Sequence, residues 1–550
     1  MKVIKSLCLK YWGISVVLFV ALISIISLFS FGLPPTHDGE YHIVRFQQFY
    51  KVLSEGILYP RWAPDFNNGF GIPLFNYVYP LPNYIASFLH LLGFSFIDSF
   101  KLNMIFASFT GAIFFYLWTR LFWKDLGAVV SSIFYTFSPY HFVDIYVRGS
   151  VGEVWSLALF PGLLWSFTEF SRKRKLVFFV ISSIFLSLLI YSHNILAFLF
   201  FIFFIFYCLL LSTNQKNKKN YFKSLILILF IGLGLSAPFF LPALLEAKYA
   251  IGLQIFDLKR HFPEIYQLII PSWGYGFSGI DTQGQMSFQI GLANILAVLV
   301  SFIALFKNKK NRGLLIFFIV WFFIAVSLMT PYSSWLWDNI PFFNYFQFPW
   351  RLLSLAILIA SFLGGSIVSV FSKGWMKNLF ASFFILLSIL LSLGYAKAPY
   401  YHKRADLYYL IRSNFTDGTN SPGNSFNTKW LASIPAKKKN KFEFLKGSGS
   451  VKIGNIKPQF YKLMTSVKND SQVIINTAYF PGWISFVDGK KKEVDNYNGR
   501  ILIRIPSGVH KVELIFSDTP IRTVSYIYFF ISVFLLVFLG RESIIGIMRK

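Results

Sequence analysis

A polytopic α-helical membrane protein of roughly twelve spans, with a C-terminal β-rich domain outside the membrane, is the architecture this sequence predicts. Three observations predict it. The 550 residues are 55% hydrophobic and only 14% charged, with mean hydropathy +0.56, a balance that an ordinary soluble fold does not show. Charge-free apolar runs recur at lengths that suit a helix crossing ~30 Å of hydrocarbon. One long segment, 397–522, departs from this pattern and is rich in Lys, Asn, Ser and Gly.

The run 11–33, flanked by Lys2, Lys5 and Lys10, is too long for the core of a cleaved leader and reads as the first span. Further runs lie at about 102–119, 127–143, 154–168, 176–192, 194–213, 224–245, 286–306, 313–332, 352–372, 378–396 and 523–540. With the N-terminus cytoplasmic, strict alternation places Lys124, Arg172 to Lys175, Lys216 to Lys223, Lys307 to Arg312, Lys373 and Lys377 inside. Every short loop then obeys the positive-inside rule. Only Asp125, Glu169 and Glu542 of the 24 acidic residues fall inside, and all eight histidines fall outside. Chemistry is therefore expected on the outer face of the cytoplasmic membrane.

Residues 75–94 threaten this parity, because one more crossing would invert every later loop. Pro80 and Pro82 interrupt the stretch and favour an interfacial or re-entrant helix. The domains are thus a membrane core over 1–396 with an outer loop at 34–100, an extracytoplasmic β-sandwich-like domain over 397–522, and a final span with a basic cytoplasmic tail over 523–550. Period-two alternation in 473–476, 483–487, 501–505 and 512–516 supports the sandwich, with Asp488-Gly489 suited to a type I′ turn.

The chain carries 52 Lys and Arg against 24 Asp and Glu, a net charge of +28. In a polytopic protein that excess belongs first to cytoplasmic loops, so nucleic acid is not an expected partner. Cys8 and Cys208 support neither a disulfide framework nor a thiolate zinc site. The sequence holds no Walker loop, dinucleotide fingerprint, HExxH or nucleophile elbow, so nucleotide-driven chemistry is unsupported.

Candidate site residues gather in the outer segments. After the first span comes PPTHDGEYH, leading into a helix on which Asp38, His42 and Arg45 share a face and Ile43, Phe46, Phe49, Tyr50, Leu53 and Ile57 form an apolar stripe. Such a helix is expected along the outer interface. Its carboxylates and imidazoles suit a general base with orienting partners, or a divalent-cation site built from His37, Asp38, Glu40 and His42, although strict zinc spacing is lacking. A capped helix start explains the same residues. In RWAPDFNNGFGIPLFNY, Trp62, Asp65, Asn68, Asn76 and Tyr77 suit sugar contact by stacking and hydrogen bonding, or equally an interfacial aromatic belt with turns. Asp144, Arg148 and Glu153 occupy a short turn between spans, where a structural salt bridge competes with phosphate binding. His193 sits in another tight turn, and Lys259, Arg260 and Arg351 are cations able to approach a lipid phosphate.

THDGEYHI, RWAPDFNNGFGIPLFNY, YVRGSVGEVWSLALFPGLLW, SHNILAF, FQFPWRLL, YFPGWISFVDGKKKEV and SGVHKVELIF occur in order. On these segments the chain resembles the bacterial membrane proteins labelled 6-pyruvoyl-tetrahydropterin synthase-related, together with the YfhO-like proteins, in the GT-C glycosyltransferase superfamily. The resemblance implies a GT-C-like helical core whose first outer loop carries the acidic catalytic residue, with a polyprenyl-phosphate sugar as donor. Asp38 matches that position, with Glu40 beside it. It then implies an inverting transfer to an envelope glycan or lipid acceptor, with Arg148, Arg351, Lys259 and Arg260 stabilising the departing phosphate. On their own residue types and positions His42, Asp144, Glu153 and His193 are further candidates for substrate contact, with an interfacial histidine the competing reading of His193. The resemblance leaves metal dependence open. Two other classes compete: a transporter or flippase of lipid-linked glycans, disfavoured by ionisable groups gathered at outer ends, and a non-catalytic envelope scaffold.

Overall fold

The structure is a computed structural model that describes residues 2–252, 257–279, 282–411 and 424–548, with side chains described from Tyr11 to Arg541. Helices dominate through residue 395, strands occupy 442–516, and a helix Pro520–Met548 closes the described chain. Each apolar run falls wholly or mainly on helix. The runs 102–119 and 127–143 lie on and just past one 41-residue helix, Phe96–Thr136, which breaks at Lys124, where φ is 58°. Among the described residues eight helices are long and apolar enough to cross a membrane, and Leu176–Ser192 and Leu292–Lys307 are shorter apolar helices.

Packing places the segment Pro349–Ser369 at the centre, 89% of its apolar window being buried within the protein. Its Phe362 stacks on Phe318 at 4.0 Å and meets Trp118 at 4.8 Å, so three helices interlock through aromatic faces. At one end of the bundle the basic turns meet. Arg172 donates to the Leu121 carbonyl at 2.8 Å, and Arg174 to Gln215 at 2.9 Å. At the opposite end lie the first loop, the 144–150 turn and the β-domain, tied by the contacts described below.

The stretch 75–94 forms a 3₁₀ turn, Leu74–Asn76, and a helix Leu81–Leu91 of 11 residues. At 1.5 Å per residue that helix is about 16 Å long, roughly half the hydrocarbon thickness. It packs beside Gly39–Ser54. The latter helix, which the sequence places along the outer interface, is covered by protein on its apolar face. His42, Ile43, Val44, Phe46, Phe49 and Val52 are all buried, and the short helix Asp406–Leu410 packs against it. Residues beyond the last core helix provide that cover: Leu33 and His402 pair through their backbones, and the Asp406 carboxylate accepts the Phe96 and Ile97 amides at 2.6 and 3.1 Å. Residues 397–411 thus lie on the core, ahead of the strands.

The β-domain is a sandwich of two antiparallel sheets. One has the order β1-β4-β8-β7, from Phe442–Lys446, Ser471–Ala478, Arg500–Ile505 and Asp495–Tyr497. The other has β2-β3-β9-β5-β6, from Gly449–Lys457, Phe460–Val467, Gly508–Phe516, Trp483–Val487 and Lys490–Lys492. Their inward residues, among them Leu463, Val473, Ile475, Ile501, Ile503, Val512 and Leu514, form its core. Asp488 and Gly489 both have positive φ, 49° and 77°, which is the type I′ geometry joining β5 to β6.

The domain is joined to the membrane core through the segment 61–77. Trp62 is 1% exposed and packs on Trp483 and Phe516 at 5.6 and 5.2 Å. Arg61 donates to the carbonyls of Phe516 and Ser517, and Lys441 donates to the Gly69 carbonyl at 2.7 Å. Truncating Trp62 to alanine is expected to cost about 3–5 kcal/mol, the range for a large buried aromatic. Limited trypsin digestion of the solubilised protein should then release the β-domain faster than in wild type; an unchanged digestion pattern would place the joint elsewhere.

Candidate functional site

The site begins with how the first loop is held. The first helical segment ends at Phe29, and after Pro34 and Pro35 the chain runs along the 144–150 turn. The His37 amide donates to the Val147 carbonyl at 3.0 Å and the Asp38 amide to the Arg148 carbonyl at 2.9 Å. Gly149 makes this approach possible. Its φ is +66°, and a Cβ there would overlap Thr36 Oγ1. The preceding residues Val143–Arg148 form a π-helical turn, a widened geometry found often at functional positions.

Asp38 occupies the N-cap position of Gly39–Ser54, yet its side chain makes no capping bond. The Gly39 amide donates to Thr36 Oγ1 at 3.2 Å, and the half-buried Asp38 carboxylate accepts no hydrogen bond among the described residues. His37 hydrogen-bonds the Tyr275 carbonyl at 3.0 Å and packs on Phe277 at 4.4 Å, so residues 275–277 form one wall. Burial pulls the His37 imidazole below its ordinary range, against the opposing pull of the Tyr275 carbonyl and the Asp38 carboxylate. Burial likewise lowers Arg45, while Tyr79 and Asp38 support its charge. Asp38 and Arg45 therefore share one electrostatic neighbourhood, as their spacing along the helix requires.

His42 is 2% exposed, with its ring between Phe46 and Phe100. Burial, then Arg45 and His193, holds its imidazole well below the ordinary value. The unfolded chain accepts a proton near pH 6.5 that the folded chain refuses, so the more protonated state at lower pH is the unfolded one. Stability is expected to fall as pH drops through about 6.5 and to gain nothing from this group above it. Thermal unfolding across that range should show a shallower slope for His42→Leu than for wild type, and identical slopes would contradict the assignment.

Beneath the loop lies a buried ion cluster. Arg148 binds Glu153 in two-pronged fashion, at 2.6 and 2.7 Å, and also binds Asp144. Arg351 donates to Glu153 at 3.1 Å and to the Phe346 carbonyl at 2.9 Å. Tyr140 donates to Glu153 at 3.2 Å, and the Arg148 guanidinium lies 4.6 Å from the Trp350 ring centre. His193 accepts the Leu196 amide on Nδ1 at 3.2 Å, which directs Nε2 toward Glu153, 3.8 Å away. Two carboxylates and two guanidiniums are thus paired at charge balance. Asp144, Arg148, Glu153, Arg351 and His193 come together as one unit, and any phosphate would share cations already bound to carboxylates.

Lys259 is exposed and lies 3.9 Å from Asp338. Lys259 and Arg260 belong to a 3₁₀ turn, Leu258–His261, whose His261 packs on Phe348 at 4.8 Å, close to Arg351. Glu40 stands in the first turn after Asp38. The remaining candidates are used elsewhere. Trp62 is in the domain joint. Asp65 binds Lys51 at 2.7 Å and Gln48 at 2.8 Å, and Asn68 donates to the Pro435 carbonyl. Asn76 accepts from Arg522 at 2.8 Å, and Tyr77 donates to the Glu246 carbonyl at 2.9 Å. The structure does not bring these five to Asp38. Among the described residues no three His, Cys, Asp or Glu side chains gather to hold a metal ion, and His37, Asp38, Glu40 and His42 form no such set.

Sequence reasoning passed over Tyr79. Its ring lies 5.0 Å from that of His193 and over Gly152, where a Cβ would collide with it. Nearby, an apolar groove of about 640 Å³ runs between Leu81–Leu91 and Phe96–Thr136. Ile85, Leu89, Leu102, Phe106 and Trp155 line it, and Trp155 stands two residues from Glu153.

Fold and site together define a polytopic helical membrane protein with a cluster of acidic and cationic groups at the end that bears its β-sandwich. The model of the 6-pyruvoyl-tetrahydropterin synthase related domain, a membrane-protein family, matches residues 75–398, and the chain belongs to that family. An uncharacterized protein of Lactococcus lactis subsp. cremoris (strain MG1363) is 23% identical over 256 residues, covering 45% of this chain and 42% of the relative. Among solved structures, the apo oligosaccharyltransferase of Archaeoglobus fulgidus matches with 12% identity and TM-score 0.46, over 73% of this chain and 56% of that one. Arabinofuranosyltransferase AftD from Mycobacteria matches with 13% identity and TM-score 0.48, over 71% and 27%.

Proposed function

We propose that this protein is a membrane glycosyltransferase that moves a sugar from a polyprenyl-phosphate donor to an envelope glycan or lipid acceptor at the outer face of the cytoplasmic membrane. The observation that carries the reading is the half-buried Asp38 carboxylate, left without a capping bond and clamped by backbone hydrogen bonds to the Arg148 turn. In the reaction, an acceptor hydroxyl attacks the anomeric carbon while Asp38 takes its proton. The bond from that carbon to the lipid phosphate breaks with inversion, and the phosphate leaves with the electron pair. Glu40 supplies a second carboxylate beside the base. Arg45, with Arg148 and Arg351 behind it and Lys259 and Arg260 at the rim, gives the phosphate a cationic surrounding. The apolar groove beside Trp155 suits an isoprenoid chain. The candidate metal ligands do not form a set, so no step is assigned to a cation.

A scaffold reading has one observation in its favour: Trp62, Asn68, Asn76 and Tyr77, which would suit sugar contact, instead fix the β-domain and its neighbours. Mass spectrometry of envelope glycans and lipids from wild-type and deletion cells separates the two. A transferase predicts loss of one defined sugar mass on deletion. An unchanged glycan profile, with altered envelope integrity alone, would favour the scaffold.

A further inference from the structure

We infer that the Tyr79 hydroxyl is a substrate-binding group, donating a hydrogen bond to a phosphate oxygen held between Asp38–Arg45 and Arg148–Glu153. The inference rests on the lipid-phosphate reading above and adds a residue to it.

Four observations point to Tyr79. Its ring is wedged over Gly152, the residue before Glu153, where only a glycine leaves room. It packs on His193, which itself faces Glu153. The Asn83 side chain donates to the Tyr79 carbonyl at 2.9 Å and so fixes its backbone at the start of the Leu81–Leu91 helix. Finally, the hydroxyl makes no hydrogen bond among the described residues and is not among the sealed polar atoms left without a partner, so it is open to a ligand. A tyrosine held on its ring, its neighbours and its backbone, yet with its oxygen unused, is oriented for something outside the protein.

The chemistry selects the ligand. Arg45, Asp38, Glu153 and Arg148 all act on this phenol. Burial raises its pKa above the ordinary tyrosine range, so it stays protonated and donates. A donor flanked by two guanidiniums fits an anionic oxygen better than another donor, and a phosphate oxygen supplies one. The position also lies at the start of the helix that lines the apolar groove, so one lipid phosphate can place its head at Tyr79 and its chain in the groove.

The test uses the full chain in lipid nanodiscs, with undecaprenyl phosphate and undecaprenol as probes and native mass spectrometry as readout. Wild type is expected to bind the phosphate over the alcohol. Tyr79→Phe removes one oxygen and should weaken phosphate binding about tenfold while leaving alcohol binding and thermal unfolding unchanged. Hydroxyl-radical footprinting of wild type gives a second readout independent of the variant's folding: the phosphate should protect Tyr79 and the alcohol should not. Equal phosphate binding by Tyr79→Phe and wild type, or no protection, overturns the role of Tyr79 and leaves the lipid-phosphate reading standing. Wild type that takes phosphate and alcohol alike overturns both.

Discussion

Replacing Glu153 by glutamine is expected to destabilise the folded protein by about 3–5 kcal/mol, the range for removing one partner from a buried ion pair. The residue is 0% exposed and accepts from Arg148 twice, from Arg351 and from Tyr140. A glutamine amide would keep one acceptor and turn a donor group toward two guanidiniums, leaving buried cations short of acceptors. The loss should appear as a lower unfolding temperature in detergent and less folded protein from cells. Arg148→Met combined with Glu153→Gln should cost less than the two singles added, because the double variant removes both members of the closest pair. Strictly additive costs would show that the cluster does not act as a unit. Since the carbonyls of Val147 and Arg148 accept the amides of His37 and Asp38, the same lesion should also loosen the first loop.

Asp38→Asn is expected to do the reverse: leave stability nearly intact and abolish turnover. Its side chain makes no capping bond, and its place is set by backbone hydrogen bonds that asparagine retains. On the proposed reading what disappears is the proton-accepting carboxylate, and the loss of a general base lowers the rate about 10²–10⁴-fold, below detection in an envelope profile.

Much of this architecture is legible in the sequence wherever local chemistry decides. Asp488-Gly489 marks its turn because both positions need positive φ, and β5 matches the alternating stretch 483–487 at both ends. The charge-free runs mark their helices because length and hydropathy are local properties, and Pro80 and Pro82 keep 75–94 from forming one long helix. What the sequence leaves open is which neighbour a side chain meets. Trp62 and Tyr77 have the composition of a sugar platform, but their partners, Trp483 and the Glu246 carbonyl, lie far along the chain. For Arg148 both a salt bridge and a phosphate contact are consistent with the sequence, and the structure places Glu153 within bonding distance. Tyr79 carries no motif at all. Its significance comes from Gly152 and His193, which only the fold brings beside it. The covered 39–54 helix has the same origin, since the residues that close over it, 402–410, come from beyond the last core helix.

If Asp38 takes the proton in a sugar-transfer reaction, mass spectrometry of envelope glycans and lipids from deletion cells complemented with wild type or with Asp38→Asn at matched membrane levels reads it out. Wild type should restore the missing sugar mass, and Asp38→Asn, though folded and inserted, should not. Restoration of that mass by Asp38→Asn would show that Asp38 is not the base.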